Sequence, residues 1–177
     1  MGRYLSLDMG AESGRLVIVE IGKAGISTEV LYRFETPVVQ DSLGRRCWDF
    51  PKIVEEVVHA LSTAAPRGPF ESLGIDTWGL DFGLLDENEK LVSLPVSHRD
   101  HRTDGYLEKA ASIVGLERLH FDTGAQLLEI NSIFQLLAIV DNTPDELVRA
   151  KYLQLMPDLI LHALTGEIGT EYTIATT

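Results

Sequence analysis

Three apolar runs at the start of the chain are separated by short glycine-containing segments. They cover residues 3–8, 15–21 and 26–35, and the second run is rich in Val and Ile. Gly10 follows the first run, and the segment Gly22-Lys23-Ala24-Gly25 follows the second. Runs of this length, divided by turn residues, predict three strands joined as an antiparallel meander.

The next pattern has the period of a helix. Apolar side chains recur at i, i+1, i+4, i+5 and i+8, namely Ile53, Val54, Val57, Val58 and Leu61. This spacing predicts one apolar face of a helix, and Pro51 is suited to its first turn. Residues 72–77 follow as another predicted strand, buried and preceded by that helix.

The rest of the chain combines a small hairpin with several helices. Residues 82–85 and 91–96 predict a hairpin around the polar tip 86–89. Helices are predicted at residues 103–114, at residues 131–140, in a segment opened by Thr143 and Pro144, and from Pro157 to a stop at Gly166. The order of strands and helices predicts an α/β domain. It fits the ribonuclease H-like, actin-like ATPase fold, with a mixed sheet and flanking helices, but does not single that fold out.

The charge balance excludes several kinds of partner. The 177 residues include 15 Lys and Arg against 27 Asp and Glu, a formal net charge of −12 at pH 7. Nucleic acids and anionic membranes both require a basic surface, so neither is expected as a partner. A phosphorylated ligand is not excluded, because a local binding site can be positive although the net charge of the chain is negative.

The single cysteine and the lengths of the apolar runs bear on location. Cys47 alone cannot form an internal disulfide framework or a cysteine-based zinc site. A reducing cytosol is therefore the expected compartment. No basic segment followed by an apolar one opens the chain, and no apolar run approaches the roughly 18 residues of a membrane span. We expect a cytoplasmic protein of one domain.

The first segment with candidate chemistry follows the first predicted strand. Asp8 precedes a glycine-containing turn, residues 9–14, and Arg15 opens the next strand. A turn without bulky side chains lets backbone N–H groups point at phosphate oxygens, and a carboxylate at a strand end suits a hydrated Mg²⁺. Ser13 and Arg15 can add donors. On spacing alone, an ordinary hairpin turn with a surface salt bridge is the favoured explanation of the same residues.

The second segment, residues 74–86, places polar and aromatic side chains at the end of a predicted strand. Trp78 and Asp81 could bind a sugar through an aromatic face and carboxylate hydrogen bonds. Gly79 would let a ligand approach the backbone. The alternative is a core tryptophan beside a strand turn.

The third segment is a dense polar run, residues 98–104. Two histidines three positions apart suggest a metal, but Arg99 and Arg102 oppose a cation and no third ligand is evident. The run predicts either a substrate-binding loop or a solvated helix start with an ion pair between Asp100 and Arg102.

Together these segments resemble the FGGY family of carbohydrate kinases. The family opens with an Asp-x-Gly-x-x-Ser-x-Arg-like strand–turn–strand, similar to residues 8–15. Its members that phosphorylate L-rhamnulose carry Asp-Thr-Trp-Gly-x-Asp-Phe, a Leu-Leu-Asp turn, a proline and Arg-Asp-x-Arg-Thr. The same motifs stand here at residues 76–82, residues 84–86, Pro95 and residues 99–103. The resemblance runs over nearly the whole chain, and the tryptophan-containing block is its most specific part.

The resemblance implies ATP-dependent phosphorylation of L-rhamnulose at its 1-hydroxyl. Two actin-like domains would close over a cleft, with the sugar mostly on the first domain and the nucleotide mostly on the second. Carried over by motif, the residues that contact the ATP phosphates would be Ala11, Glu12, Ser13, Gly14 and Arg15. Asp8 would help to hold Mg²⁺. The sugar would contact Trp78, Gly79, Asp81 and His98, the last at a position where related kinases often carry an aromatic residue.

The resemblance also implies that the catalytic base lies outside these residues. In this family, a carboxylate in a His-Asp-Thr-like segment of the second domain takes the proton from the sugar, and no such segment occurs here. General-base catalysis needs that acid within hydrogen-bond reach. We therefore expect residues 1–177 to be the N-terminal sugar-binding domain, without the C-terminal nucleotide-binding domain and without useful kinase activity alone.

Other functions stay open. The substrate could be another ketose or deoxy sugar, such as L-fuculose. The chain could also be a non-enzymatic actin-like module that binds nucleotide or a protein partner, although Trp78 and Asp81 favour a sugar kinase. A generic phosphohydrolase is disfavoured because no second acid accompanies Asp8. The expected partners are the sugar, ATP and the missing C-terminal kinase domain.

Overall fold

The strands follow the predicted order and include three that the pattern did not predict. A computed structural model describes residues 2–176, so Met1 and Thr177 of the predicted domain lie outside the description. Within residues 2–176 the strands are β1 (Gly2–Met9), β2 (Ser13–Gly22), β3 (Gly25–Glu35), β4 (Val38–Gln40), β5 (Arg46–Trp48), β6 (Leu73–Asp76), β7 (Phe82–Leu85) and β8 (Tyr152–Leu155). The three that were not predicted are β4, β5 and β8.

The helices lie mostly in the second half of the chain. They are α1 (Phe50–Ala64), α2 (Tyr106–Val114), α3 (Leu116–Thr123), α4 (Ser132–Asn142), α5 (Pro144–Arg149) and α6 (Met156–Thr165). Short 3₁₀ turns occur at Ala65–Arg67, His101–Thr103 and Ile174–Thr176. The four helices predicted after residue 103 are confirmed, while α3 was not predicted. No helix within residues 2–176 has the length and apolar character to span a bilayer.

The main sheet is mixed, as the order of elements predicted. Its strand order is β3-β2-β1-β6. The first three strands form the predicted antiparallel meander, and β6 pairs in parallel with β1. Asp8 and Asp76 are partners in that parallel register, so the carboxyl ends of β1 and β6 lie side by side. This edge of the sheet collects the first two candidate segments.

Helix α1 begins where the sequence predicted and packs one face against the core. The side chain of Asp49 accepts a hydrogen bond from the backbone N–H of Lys52 at 3.2 Å, which caps the first turn. Ile53 and Val57 are fully buried, whereas Val58 is 48% exposed. Val58 was predicted on the apolar face, but five residues rotate it about 140° away from Ile53. The buried face is completed by Ala60 and Ala64.

The predicted hairpin of residues 82–85 and 91–96 is confirmed only next to its turn, where the backbone N–H of Val92 donates to the carbonyl of Leu84 at 2.9 Å. The longer pairing of β7 is antiparallel with β8, where Phe82 lies opposite Leu155. Beyond the polar tip, Leu91 forms only an isolated bridge to Leu85. The tip does turn as predicted, because the Asp86 carboxylate accepts backbone hydrogen bonds within it. The pairing with β8 is thus added to a short local one, and it joins residues about 70 positions apart that no local pattern connects.

Three apolar clusters hold these elements together. The largest packs the inner face of the main sheet against α1 and α6, and includes Leu7, Leu16 and Ile160. A second lies between the β7–β8 pair and α4. The third joins α2, α3 and α4 around Phe134. The candidate segments lie at the ends of strands that the first cluster holds.

Candidate active site

The turn between β1 and β2 is tight and tied to the chain after β3. The backbone N–H of Gly10 donates to the carbonyl of Ser13 at 2.8 Å, which closes the turn. Thr36 stabilises the turn through two hydrogen bonds. Its hydroxyl donates to the carbonyl of Gly10 at 3.1 Å, and its backbone N–H donates to the carbonyl of Glu12 at 3.2 Å. Glu12 and Ser13 are exposed at the tip. The turn is therefore a firm backbone frame with accessible residues, as a phosphate site requires.

Gly14 has a packing reason to be glycine. A Cβ atom at this position would lie 2.4 Å from the Cζ atom of Phe34, far inside van der Waals contact. Phe34 is itself buried in the main cluster. The glycine therefore admits a core ring beside the turn, and its predicted contact with ATP phosphates stays a prediction.

Asp8 lies at the strand end and pairs with Arg15. Its Oδ2 atom accepts from the Nε atom of Arg15 at 2.7 Å and also contacts Nη2. The two side chains retain 40% and 45% exposure, respectively. Within residues 2–176, no group of three His, Cys, Asp or Glu side chains is arranged to hold a metal. One accessible carboxylate fits a hydrated Mg²⁺, which keeps most of its water, so Asp8 stays a predicted contact.

Asp81 is the centre of a buried hydrogen-bond network. Its Oδ2 atom accepts from the Nε1 atom of Trp48 at 2.7 Å, the Nε1 atom of Trp78 at 3.0 Å and the Nδ1 atom of His98 at 2.8 Å. Its Oδ1 atom accepts from the Nε2 atom of Gln135 at 3.1 Å. The network brings together three residues predicted for sugar binding and two that were not predicted.

The burial of Asp81 gives it a structural role. Its exposure is 0%. Trp78 and His98 are only partly buried, and both donate to Asp81. Asp81 therefore holds both side chains in place, and its own contact with a sugar stays a prediction. Because Nδ1 of His98 donates to it, the other ring nitrogen, Nε2, is left to serve another partner.

Trp48 was missed by the sequence analysis. It is 1% exposed, and its ring lies 4.3 Å from that of Trp78, centre to centre, at 42°. Its backbone N–H donates to the carbonyl of Pro95 at 2.8 Å, which joins β5 to the chain leading to His98. No local pattern distinguishes a tryptophan that supports a site from one that fills a core.

The loop between Trp78 and Asp81 has an unusual backbone. Leu80 has a φ of 78°, in the left-handed region that a branched side chain rarely adopts. Its carbonyl accepts from the hydroxyl of Ser132 at 2.6 Å and from the Nε2 atom of Gln135 at 3.2 Å. These bonds hold a strained turn directly after Gly79. Strain held in this way is typical of functional sites.

The polar run after residue 97 is a loop stiffened by one carboxylate. Asp100 accepts from the backbone N–H groups of Arg46 at 2.7 Å and Arg102 at 2.9 Å. The alternative of a side-chain ion pair between Asp100 and Arg102 is therefore wrong, since the contact is to the Arg102 backbone. The Arg102 guanidinium instead donates to the Oε1 atom of Gln135 at 2.6 Å. Burial lowers the pKa of Arg102 to about 10.

The two histidines of this run have different partners. His98 contacts Asp81, whereas His101 contacts Asp104 at 3.1 Å on the surface. Each histidine therefore has its own acidic partner. Next to His98, the Nη1 atom of Arg99 lies 3.5 Å from the Oε1 atom of Glu12. This contact joins the polar loop to the turn between β1 and β2.

A tight turn with a carboxylate and an arginine, beside a supported aromatic and histidine pair, is an arrangement suited to binding a phosphate donor and a sugar together. Residues 3–177 match the family described as "FGGY family of carbohydrate kinases, N-terminal domain". The chain belongs to this family. The FGGY resemblance of the sequence is thus confirmed.

Curated relatives carry the name rhamnulokinase. The one from Halalkalibacterium halodurans is 40% identical over 179 residues, covering 100% of this chain and 38% of that protein. The one from Mannheimia succiniciproducens is 38% identical over 175 residues, covering 97% of this chain and 36% of that protein. The chain thus spans little more than a third of the length of these relatives. It is a rhamnulokinase-like N-terminal domain.

Solved structures of sugar kinases have the same fold. Ligand-bound xylulose kinase from Lactobacillus acidophilus matches with a TM-score of 0.85 and 16% identity, over 99% of this chain and 36% of that one. Gluconate kinase from the same organism matches with a TM-score of 0.83 and 16% identity, over 99% of this chain and 35% of that one. The predicted α/β, actin-like ATPase fold is confirmed.

Proposed function

We propose that this chain is the sugar-binding half of an ATP-dependent kinase that converts L-rhamnulose to L-rhamnulose 1-phosphate. The observation that carries the proposal is the network on Asp81, which holds Trp78 and His98 in place. Relatives named rhamnulokinase, 38–40% identical over nearly the whole chain, support the choice of sugar.

The sugar side of the site combines an aromatic face with polar groups. Trp78 offers its ring to the apolar face of the sugar, and Trp48 supports that ring from behind. His98 offers Nε2 to a hydroxyl, because Asp81 engages Nδ1. Gly79 lets the sugar approach the backbone of the strained loop. A site built on supported side chains binds with a smaller loss of conformational entropy.

The phosphate side is the turn between β1 and β2. We assign the ATP phosphates to residues 11–15, whose backbone the turn presents. Arg15 is held by Asp8 and adds positive charge beside the turn. Mg²⁺, when bound near Asp8, would neutralise charge on the phosphates. The two sides together orient the donor toward the sugar hydroxyl.

The general base is assigned to the part of the full-length kinase that this chain does not match. Within the candidate site, Asp8 is paired with Arg15 and Asp81 is buried under four donors. Neither carboxylate is placed to accept a proton from a bound sugar. We therefore propose that the chain alone binds its sugar but does not transfer phosphate. The cytoplasmic location remains a prediction.

Calorimetric titration with L-rhamnulose tests the proposal, with L-fuculose and glycerol as comparison ligands. We expect selective binding of L-rhamnulose, even if it is millimolar, and no ATP turnover. Trp78→Ala and His98→Ala should each weaken binding about tenfold, as expected for about 1.4 kcal/mol. Phe121→Ala is the matched control, because this aromatic side chain is 86% exposed on α3.

Two results would change the proposal. Tighter binding of L-fuculose than of L-rhamnulose would move the assignment to that sugar. Unchanged affinity in both Trp78→Ala and His98→Ala proteins, with wild-type unfolding midpoints, would remove the sugar site from this loop.

A further inference from the structure

Arg99 reaches the phosphate turn from the sugar side of the site. Its Nη1 atom lies 3.5 Å from the Oε1 atom of Glu12, at the tip of the turn between β1 and β2. The side chains of Arg99 and Glu12 are 42% and 83% exposed. Arg99 also directly follows His98. A single dipeptide thus faces both halves of the candidate site.

The backbone around Arg99 is held firmly. Its N–H donates to the hydroxyl of Ser97 at 3.2 Å, and the N–H of Asp100 donates to the carbonyl of Ser97 at 2.9 Å. The Asp100 carboxylate in turn accepts from the backbone of Arg46 and Arg102. The root of the Arg99 side chain is therefore fixed, while its exposed guanidinium can move about the side-chain torsions.

The contact that Arg99 makes is weaker than that of Arg15. Arg15 places two guanidinium nitrogens on the carboxylate of Asp8, with Nε at 2.7 Å. The separation of Arg99 from Glu12 exceeds the normal length of a hydrogen bond. Exposed ion pairs of this kind contribute little to stability. Arg99 can therefore release Glu12 when an anion that binds it more strongly is present.

We propose that Arg99 forms a subsite for the phosphoryl group in transit between nucleotide and sugar, and that Glu12 occupies this subsite when no phosphate is bound. A guanidinium binds phosphate oxygens through two parallel N–H donors, which is stronger than its single contact with Glu12. The chain carries a net charge of −12, so a phosphate dianion needs local cations to bind. This inference rests on the proposed function.

Parallel calorimetric titrations with L-rhamnulose and L-rhamnulose 1-phosphate test the subsite. We expect wild-type protein to bind the phosphate ester more tightly than the free sugar. Arg99→Gln should weaken binding of the ester about tenfold or more and leave the affinity for the free sugar unchanged. Glu12→Gln should act in the opposite direction and strengthen binding of the ester, because it removes both a competitor and a negative charge.

Two control variants separate charge from structure. Arg118→Gln removes the same charge from an exposed position on α3, where the side chain is 77% exposed, and should change neither affinity. Arg99→Lys keeps the charge but loses the paired donors, so it should retain part of the affinity for the ester. Urea midpoints of all variants should match that of wild type.

The outcomes separate this inference from the function it rests on. If L-rhamnulose binds but Arg99→Gln weakens both ligands equally, Arg99 only shapes the sugar loop and the subsite is rejected. The same holds if Arg99→Gln leaves the affinity for the ester unchanged. If folded wild-type protein binds neither ligand better than glycerol, the proposed function itself fails, and the subsite fails with it.

Discussion

The Nδ1 atom of His98 lies 2.8 Å from the Oδ2 atom of Asp81, a carboxylate with no exposed surface. The same oxygen accepts from the indole N–H groups of Trp48 and Trp78. One buried carboxylate thus sets the orientation of two aromatic rings and the hydrogen-bonding role of a histidine. The candidate sugar site is arranged before any ligand enters, and this arrangement depends on Asp81.

Replacement of Asp81 should be strongly destabilising. Asp81→Ala would remove the acceptor of the buried Trp48 and of the partly buried Trp78 and His98, and one of the acceptors of Gln135. We expect a loss of about 3–5 kcal/mol in the free energy of unfolding. Urea denaturation followed by tryptophan fluorescence measures it directly, because both tryptophans of the chain donate to Asp81.

An exposed acidic residue gives the control for this measurement. Glu87→Ala lies in the turn after β7 and should change stability by no more than about 0.5 kcal/mol. A loss below about 1 kcal/mol for Asp81→Ala would mean that water replaces the carboxylate without penalty and that the network is not essential.

Gly14→Ala should be destabilising because of Phe34. The new methyl group would overlap the Phe34 ring, and we expect a cost of about 1–3 kcal/mol. The double variant Gly14→Ala/Phe34→Leu should recover part of this loss, since the smaller side chain makes room. Gly74→Ala is the control, because a Cβ atom there meets nothing within 4 Å. Equal unfolding midpoints for Gly14→Ala and wild type would contradict the packing role.

Cys47 should make stability fall in alkaline solution. The side chain is fully buried, and burial raises the pKa of its thiol from 9.0 to about 11. Between these values the unfolded chain loses its thiol proton first, so rising pH favours unfolding, by about 1.4 kcal/mol at pH 10. Urea midpoints at pH 7 and pH 10 measure the effect. The urea midpoint of Cys47→Ala should decrease less between pH 7 and pH 10 than that of wild type. An equal decrease in both proteins would assign the loss of stability to other groups.

Asp158 should make stability depend on acidic pH. It is 5% exposed in the first turn of α6, and one carboxylate oxygen accepts from the backbone N–H of Glu171 at 3.1 Å. Its other oxygen, Oδ2, has no hydrogen-bond partner within residues 2–176. Burial raises the pKa of this carboxyl above its usual 3.8, and the hydrogen bond from the Glu171 backbone only partly opposes this.

The sign of the Asp158 effect follows from linkage. A carboxyl whose pKa is higher in the folded chain favours folding at low pH, and this contribution is lost as pH rises from the unfolded value through the folded one. The stability of Asp158→Asn relative to that of wild type should therefore increase as pH rises from 3.5 to 7. Urea midpoints of the two proteins at these pH values test this, and parallel curves would exclude Asp158 as a contributor.

Features that neighbouring residues encode were predictable from the chain. The apolar runs and glycine turns identified the meander of β1, β2 and β3, and Pro51 marked the start of α1. The block of residues 76–82 identified the family and selected Trp78 and Asp81. Periodicity, caps and turns act between residues a few positions apart, so they can be recognised along the sequence.

Features that join distant residues became visible only in the folded chain. Asp81 is buried with its partners Trp48 and Gln135, which lie 33 and 54 positions away along the chain. In the same way, the pairing of β7 with the distant strand β8 is longer than its bridge to the nearby Leu91. Such contacts are selected by burial and by the need to satisfy buried polar groups, which depend on how whole elements pack.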